Sequence, residues 1–306
     1  MTDVAHVPNL FVVGAPKSGS TALWTYLGAH PDIFMGGKEY HFFGSDLPYH
    51  GARPRLSTEA YLDRFAKATS ERYRGEASVG YLYSELAARE IHAFSPDARI
   101  VAILRNPVDM IHSLHSEELF QGDEDIPGFA EALAAEEGRR RGEGIPDACE
   151  ALWPLFYRAV GHYASQVARY LDVFGPDRVH VIISEEFRAD TAAGYRDVLH
   201  FLGVDPEFRP EFPVVNANKV PRSTTAVRLL RRPPPVVRRF ARMVLPTPAS
   251  RRSMGRRLQA LNVVQRPREA MPPELRRSLE SEFADDIARL SELLGRDLEV
   301  WRPSPA

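Results

Sequence analysis

The chain has 306 residues, a formal net charge of −2 and a charged fraction of 26%, all ordinary for a globular protein. Its single cysteine, Cys149, excludes an internal disulfide framework and favours a reducing compartment. The N-terminal residues contain no basic stretch followed by a long apolar run, so the sequence predicts neither a signal peptide nor a membrane span. We therefore expect a cytoplasmic protein.

The first predicted unit is a strand, a glycine-containing loop and a helix. The apolar stretch 9–15 (NLFVVGA) has the length and composition of a buried strand. Residues 21–30 (TALWTYLGAH) have helical spacing, and Pro31 ends the pattern. The connecting residues 14–21 (GAPKSGST) therefore lie between a strand and a helix, which is the position of a phosphate-binding loop.

Further strands and helices alternate along the chain. Residues 99–104 (RIVAIL) predict a buried strand, and Asn106 and Pro107 suit the N-cap and first turn of a helix after it. Other elements are predicted as helices at 157–175, 191–204 and 273–294 and a strand at 178–183. This alternation predicts an α/β fold, a P-loop-type three-layer domain with a mostly parallel central sheet flanked by helices.

We interpret residues 1–306 as one domain with a core at about 8–205. Residues 206–272, rich in proline and arginine, are interpreted as a basic lid or insertion, and residues 273–306 as a C-terminal helical region. Within the basic part, residues 219–268 contain 14 Lys/Arg and no Asp/Glu, so the rest of the chain is acidic. This asymmetry favours an anionic partner close to that segment.

The loop resembles the nucleotide-triphosphate pattern G-x-x-x-x-G-K-[ST] but differs from it at one position. Gly14, Gly19 and Thr21 match, whereas Ser20 occupies the place of the lysine and Lys17 lies inside the loop. Backbone amides at the start of a helix form a site for an anion. Because the lysine that spans the β- and γ-phosphates is absent, a smaller anion is favoured over ATP or GTP. A serine-rich turn without a ligand is the alternative.

Two motifs resemble a known family. Residues 15–23 (APKSGSTAL) resemble the 5′-phosphosulfate loop of sulfotransferases that use 3′-phosphoadenosine 5′-phosphosulfate (PAPS), and residues 99–119 resemble their 3′-phosphate signature. The resemblance implies that Lys17 contacts the bridging oxygen and the leaving phosphate. It further implies a set of PAPS-binding residues, namely Lys17, Ser18, Gly19, Ser20, Thr21, Ala22, Arg105 and Ser113, with Lys219 and Arg222 as additional candidates from the basic segment.

A third motif, GGKEYHFFG at 36–44, resembles the E-x-H-F-F stretch of heparan-sulfate and related carbohydrate sulfotransferases. The resemblance implies that Glu39 is the base that deprotonates the acceptor, and that His41 is either catalytic or packed among the phenylalanines. Two positions depart from that subgroup. Ala77 stands where those enzymes often carry a second catalytic lysine, and Gly44 stands where some of them carry an acid.

The resemblance implies in-line transfer of a sulfuryl group from PAPS to a hydroxyl, in preference to an amine, of a small-molecule or glycan acceptor. The product is adenosine 3′,5′-bisphosphate, and no metal is required. Two alternatives are a small-molecule kinase with the same sheet and a non-catalytic nucleotide-binding scaffold. The segment 228–257 is interpreted as a solvated lid face, a site for an anionic acceptor, or a contact that makes the protein peripheral to an anionic membrane. Nucleic-acid binding is not expected, because no recognition module is visible.

Overall fold

The computed structural model describes residues 7–47, 55–213 and 270–301, together with the backbone of 220–221 and 263–264. Its central sheet has five parallel strands in the order β2-β3-β1-β4-β5. The strands are β1 Leu10–Gly14, β2 Ile33–Lys38, β3 Tyr73–Ala77, β4 Arg99–Leu104 and β5 Val179–Ile183. Two short antiparallel strands, β6 Val220–Pro221 and β7 Val263–Val264, pair separately. The predicted fold class is confirmed.

Helices pack on both faces of the sheet. They are α1 Ser20–Leu27, α2 Thr58–Leu62, α3 Gly80–Tyr83, α4 Ala87–Phe94, α5 Pro107–Gln121, α6 Phe129–Arg140, α7 Tyr157–Gly161, α8 Tyr163–Phe174, α9 Ser184–Ala189, α10 Thr191–Leu202 and α11 Pro273–Leu294. Alternate side chains of a strand point to opposite faces. Accordingly, Phe11 and Val13 of β1 join one buried cluster with α5, α8 and α11, while Leu10 and Val12 join a second with α1 and α10.

The prediction of one helix at 157–175 is wrong, because His162 separates α7 from α8. The cause is a residue distant in sequence. A carboxylate oxygen of Asp286, on α11, accepts hydrogen bonds from the backbone N–H groups of Tyr163 (2.7 Å) and Ala164 (3.2 Å). Asp286 thereby satisfies the first amides of α8, as a capping side chain does. Helical periodicity is local and does not reveal this cap.

The predicted start of α5 is confirmed, and the cap provides a test of stability. The Asn106 side-chain oxygen accepts from the amides of Val108 (3.0 Å) and Asp109 (3.3 Å). We expect Asn106→Ala to lower the free energy of unfolding by about 1 kcal/mol, since two helix N–H groups lose their acceptor. Urea denaturation measures this loss. Ser281→Ala, on an exposed position of α11, is the control and is expected to change little; equal stabilities of the two variants would contradict the prediction.

Candidate active site

The glycine loop joins the end of β1 to the start of α1 at the carboxyl edge of the sheet. Gly14 has φ 147°, and a Cβ there would collide with the carbonyl oxygen of Ile103 on β4. Gly19 (φ 102°) and Lys17 (φ 60°) also have left-handed backbone conformations. The first turn of α1 carries no acidic side chain. The loop amides and the N-terminus of α1 are therefore hydrogen-bond donors suited to an anion.

Lys17 is engaged by a residue that sequence reasoning missed. Its Nζ lies 2.8 Å from Oε2 of Glu117 on α5, and both side chains are about one-third exposed (30% and 32%). Glu117 follows Ser113 by four residues, which places it one turn further along the same side of α5. That spacing is the sequence signal that could have identified it. An anion bound by Lys17 would compete with this carboxylate.

Arg105 directly follows β4, and its side chain reaches the loop. Its Nη1 donates to the backbone oxygen of Lys17 at 3.1 Å. Burial lowers the Arg105 pKa, and the nearby charge of Arg188 lowers it further. Among the described residues, the Arg105 Nε and the Tyr163 hydroxyl are buried polar atoms without a hydrogen-bond partner. A buried guanidinium with an unused donor fits a phosphate or sulfate group. Ser113 is buried further along α5.

Two other loop residues have different environments. Ser18 is buried, and its Oγ lies 3.4 Å from the carbonyl oxygen of Pro16. Ala22 lies in the first turn of α1 and is half-buried. Lys219, Arg222 and the segment 228–257 lie outside the described residues, so their predicted roles stay predictions.

A second lysine lies at the start of α1. Lys38, the last residue of β2, donates from Nζ to Ser20 Oγ (3.1 Å) and Thr21 Oγ1 (2.6 Å). Burial lowers the Lys38 pKa, Glu39 raises it, and Lys17 lowers it. The position left without a lysine at Ser20 is therefore contacted by a lysine from a different strand. Sequence reasoning did not assign Lys38 to the loop.

The chain turns sharply at the candidate base. Glu39 (φ 54°) and His41 (φ 51°) are non-glycine residues in the left-handed region, a costly conformation that often marks functional sites. Both side chains are half-buried. Burial raises the Glu39 pKa from 4.5 to about 7, against the opposing effects of Lys38 and a hydrogen bond from the Val79 amide. A carboxylate with this pKa is suited to general-base chemistry near neutral pH.

Behind this turn lies a buried carboxylate, Glu76 on β3, with no exposed surface. Three hydroxyl groups donate to it: Tyr61, Ser78 at 2.8 Å and Tyr81 at 3.3 Å. Burial raises the Glu76 pKa to about 7, the hydroxyl donors oppose that rise, and the charge of Glu39 adds to it. The three donors lie on α2, directly after β3 and on α3, so the carboxylate links these segments to one another.

Two of these hydroxyls, those of Ser78 and Tyr81, also bind the backbone of the turn that contains Glu39. Ser78 Oγ accepts from the amide of Tyr40 at 3.2 Å. The Tyr81 hydroxyl accepts from the amides of Phe42 (3.0 Å) and Phe43 (3.3 Å). Because a hydroxyl that donates to Glu76 directs its lone pairs elsewhere, the carboxylate orients these acceptors toward the turn. Glu76 thereby supports the strained conformation around the candidate base.

Within the described residues, no group of three or more His, Cys, Asp or Glu side chains is arranged to hold a metal ion. No helix among the described residues has the length and apolarity needed to cross a membrane.

A parallel sheet, a glycine loop between β1 and the N-terminus of α1, and an arginine after β4 define a P-loop-type α/β protein. Within that class the chain belongs to the sulfotransferase family, since its residues 7–216 match the family model described as Sulfotransferase domain. The resemblance noted in the sequence is confirmed.

Known proteins similar to this chain agree with that assignment. A crystal structure of a sulfotransferase from Alicyclobacillus acidocaldarius has a TM-score of 0.71 and 34% identity, covering 97% of this chain and 99% of that one. Bifunctional heparan sulfate N-deacetylase/N-sulfotransferase 1 of Mus musculus is 30% identical over 204 residues, which are 64% of this chain and 22% of that protein. Heparan sulfate glucosamine 3-O-sulfotransferase 3B1 of Mus musculus is 28% identical over 199 residues, 65% of this chain and 47% of that protein. The chain thus spans less than half the length of these two relatives.

Proposed function

We propose that this sulfotransferase transfers a sulfuryl group from PAPS to a hydroxyl of a glycan or a related metabolite. One observation carries the proposal: Arg105 Nη1 lies 3.1 Å from the Lys17 carbonyl, which joins two cationic sites at the ends of neighbouring strands. The loop with Lys17 suits the 5′-phosphosulfate, and Arg105 with Ser113 suits the 3′-phosphate. A nucleotide with phosphates on both positions of one ribose matches two such sites.

The proposed step is an in-line displacement at sulfur. The acceptor oxygen forms a bond to sulfur and releases its proton to the Glu39 carboxylate. The bond between sulfur and the bridging oxygen breaks, and its electron pair remains on the 5′-phosphate. Lys17 and the loop amides stabilise that charge, so the step requires no metal. His41 lies in the same turn as Glu39 and is proposed as a second acceptor-side residue.

The acceptor class rests on the similar proteins, two of which are named for heparan sulfate. Ala77, in place of a second lysine, separates this chain from the carbohydrate subgroup at one catalytic position. We therefore propose a glycan or glycosylated metabolite as the acceptor, without assigning heparan sulfate itself.

We also propose that residues 1–306 form one cytoplasmic domain. Within it, Lys219 and Arg222 would add charge at the 3′-phosphate, and the basic segment 228–257 would form a solvated lid face or contact an anionic acceptor or a membrane surface.

Nucleotide binding tests the proposal directly. Isothermal titration calorimetry in EDTA is expected to detect tight binding of adenosine 3′,5′-bisphosphate. Arg105→Ala and Lys17→Ala are each expected to weaken it by about tenfold to a hundredfold, since each removes a charge-assisted contact to phosphate. Arg277→Ala, at an exposed position of α11, is the matched control. Binding of Mg-ATP without binding of the bisphosphate would favour the kinase alternative and overturn the proposal.

A non-catalytic scaffold would bind the nucleotide but would not transfer sulfate. A transfer assay with labelled PAPS over extracts of the source cell separates these cases. A labelled product that depends on Glu39 supports the enzyme, whereas binding without any labelled product supports the scaffold.

A further inference from the structure

Lys38 is the cation of the candidate site that the mechanism above leaves unused. It ends β2, and its Cα is paired with Ala77 of β3. In the sheet, β3 lies between β2 and β1, and both β3 and β1 lie between β2 and β4. The Lys38 ammonium group nevertheless reaches the first turn of α1. The long side chain spans the carboxyl edge of the sheet between the turn that carries Glu39 and the glycine loop.

The contacts of Lys38 are unusual for a lysine. Nζ donates to two hydroxyl oxygens, Ser20 Oγ at 3.1 Å and Thr21 Oγ1 at 2.6 Å, and no carboxylate contacts it among the described residues. Lys17, in contrast, is paired with Glu117. Lys38 contacts the first turn of α1, whose N-terminus itself carries a partial positive charge, and the charge of Lys17 is near enough to lower the Lys38 pKa. Positive charge concentrated in this way, on a half-buried side chain, is offset by an anion.

We propose that Lys38 binds the 5′-phosphate of the nucleotide together with Lys17 and stabilises the charge that develops on it during transfer. It provides from β2 the cation that Ser20 does not provide within the loop. The inference rests on the proposed function. Lys38 exchanges no proton in this step, so the proton of the acceptor still passes to Glu39 and the balance of the reaction is unchanged.

Turn geometry explains how neighbouring residues serve the two sides of the reaction. Successive side chains of a regular strand point in opposite directions. The positive φ of Glu39 ends that alternation directly after Lys38. The two charges interact, since Lys38 lowers the Glu39 pKa and Glu39 raises that of Lys38. One dipeptide thus carries the proposed base and a ligand for the leaving group.

The test compares three nucleotides on the full chain by calorimetry: adenosine 3′,5′-bisphosphate, adenosine 5′-monophosphate and adenosine 3′-monophosphate. Lys38→Met is expected to weaken the two 5′-phosphorylated ligands by about tenfold to a hundredfold and to leave the 3′-monophosphate within about twofold. Arg105→Ala is expected to weaken only the ligands that carry a 3′-phosphate. Lys38→Arg, which keeps the charge, is expected to recover most of the affinity. Lys67→Met, at an exposed position, is the control.

Selective loss of the 5′-phosphorylated ligands in Lys38→Met that persists in Lys38→Gln supports the inference. Because Lys38 contacts Ser20 and Thr21 of the loop, a merely structural role would also weaken these ligands in Lys38→Met, but Lys38→Gln, which keeps a donor to both hydroxyls, would restore them. Equal losses on all three, or no loss, would overturn it. If Lys38→Met fails to fold, Lys38→Gln replaces it, since an amide keeps a donor to Ser20 and Thr21 without the charge. Failure of the wild-type protein to bind the bisphosphate would instead refute the proposed function. Normal wild-type binding with an unaffected Lys38→Met would refute only the role of Lys38.

Discussion

Glu39→Gln is expected to lower kcat for sulfuryl transfer by about a thousandfold, within the range that general-base catalysis contributes. The amide keeps the size of the side chain but does not accept the acceptor's proton. The Kd for adenosine 3′,5′-bisphosphate is expected to stay within about twofold, because the nucleotide contacts assigned to the loop and Arg105 are unchanged. Calorimetry and a labelled-PAPS assay on the same preparation measure both quantities.

The pH dependence of kcat provides a second test of Glu39 as the base. The base form of Glu39 is required, and burial raises its pKa to about 7. The wild-type kcat is therefore expected to fall as the pH decreases through about 7, where an ordinary glutamate would keep its activity to about pH 4 to 5. The residual activity of Glu39→Gln is expected to lack this limb. Glu59→Gln, an exposed position on α2, is the matched control. An unchanged rate in Glu39→Gln would remove Glu39 from the role of base.

The parts of the molecule that were predicted from the sequence depend on local signals. The strand at 99–104, the cap by Asn106 and the end of α11 before Gly295 follow from apolar runs, capping residues and glycine stops, and all agree with the structure. The position of Arg105 beside the loop follows from the rule that parallel strands present their carboxyl ends at one edge. These features need no knowledge of distant contacts.

The parts that were missed depend on residues far apart in sequence. β2 was not predicted, because Gly36 and Gly37 dilute its strand pattern; the structure explains both glycines, since a Cβ would collide with the Phe65 ring and the Tyr40 side chain respectively. Lys38 reaches Ser20 and Thr21 because the parallel strand β2 ends at the same carboxyl edge of the sheet at which α1 begins. No local pattern in a single sequence encodes such contacts.

The buried carboxylate of Glu76 supports the turn of Glu39 but destabilises the fold when it is charged. Two of its three hydroxyl donors, Ser78 and Tyr81, also accept hydrogen bonds from the backbone of the turn that contains Glu39. Full burial nevertheless penalises its charged form, which is why its pKa rises to about 7. A proton is therefore taken up on folding near neutral pH. This coupling makes the stability of the fold sensitive to pH through Glu76.

The difference in unfolding free energy between Glu76→Gln and the wild type is expected to grow in favour of the variant by about 2 to 3 kcal/mol from pH 5 to pH 8. The folded-state pKa of Glu76 is raised from 4.5 to about 7, so its contribution is fully present below pH 4.5 and is lost as the pH rises through 7. The glutamine is neutral throughout. Its amide oxygen is able to accept from Tyr61 and Tyr81, and its N–H to donate to Ser78, so the hydroxyls keep partners.

Urea denaturation of both proteins at pH 5 and pH 8 measures this change. Glu39 is present in both proteins, and its charge contributes to the raised Glu76 pKa, so the measured difference reports the titration of Glu76 in the presence of Glu39. Glu59→Gln, whose carboxylate is exposed, is expected to differ from the wild type by nearly the same amount at both pH values. If the difference for Glu76→Gln is also constant, Glu76 titrates near its ordinary pKa and the hydroxyl donors fully offset its burial. A growing difference would show that this enzyme supports its base turn with a buried group that destabilises the fold when charged.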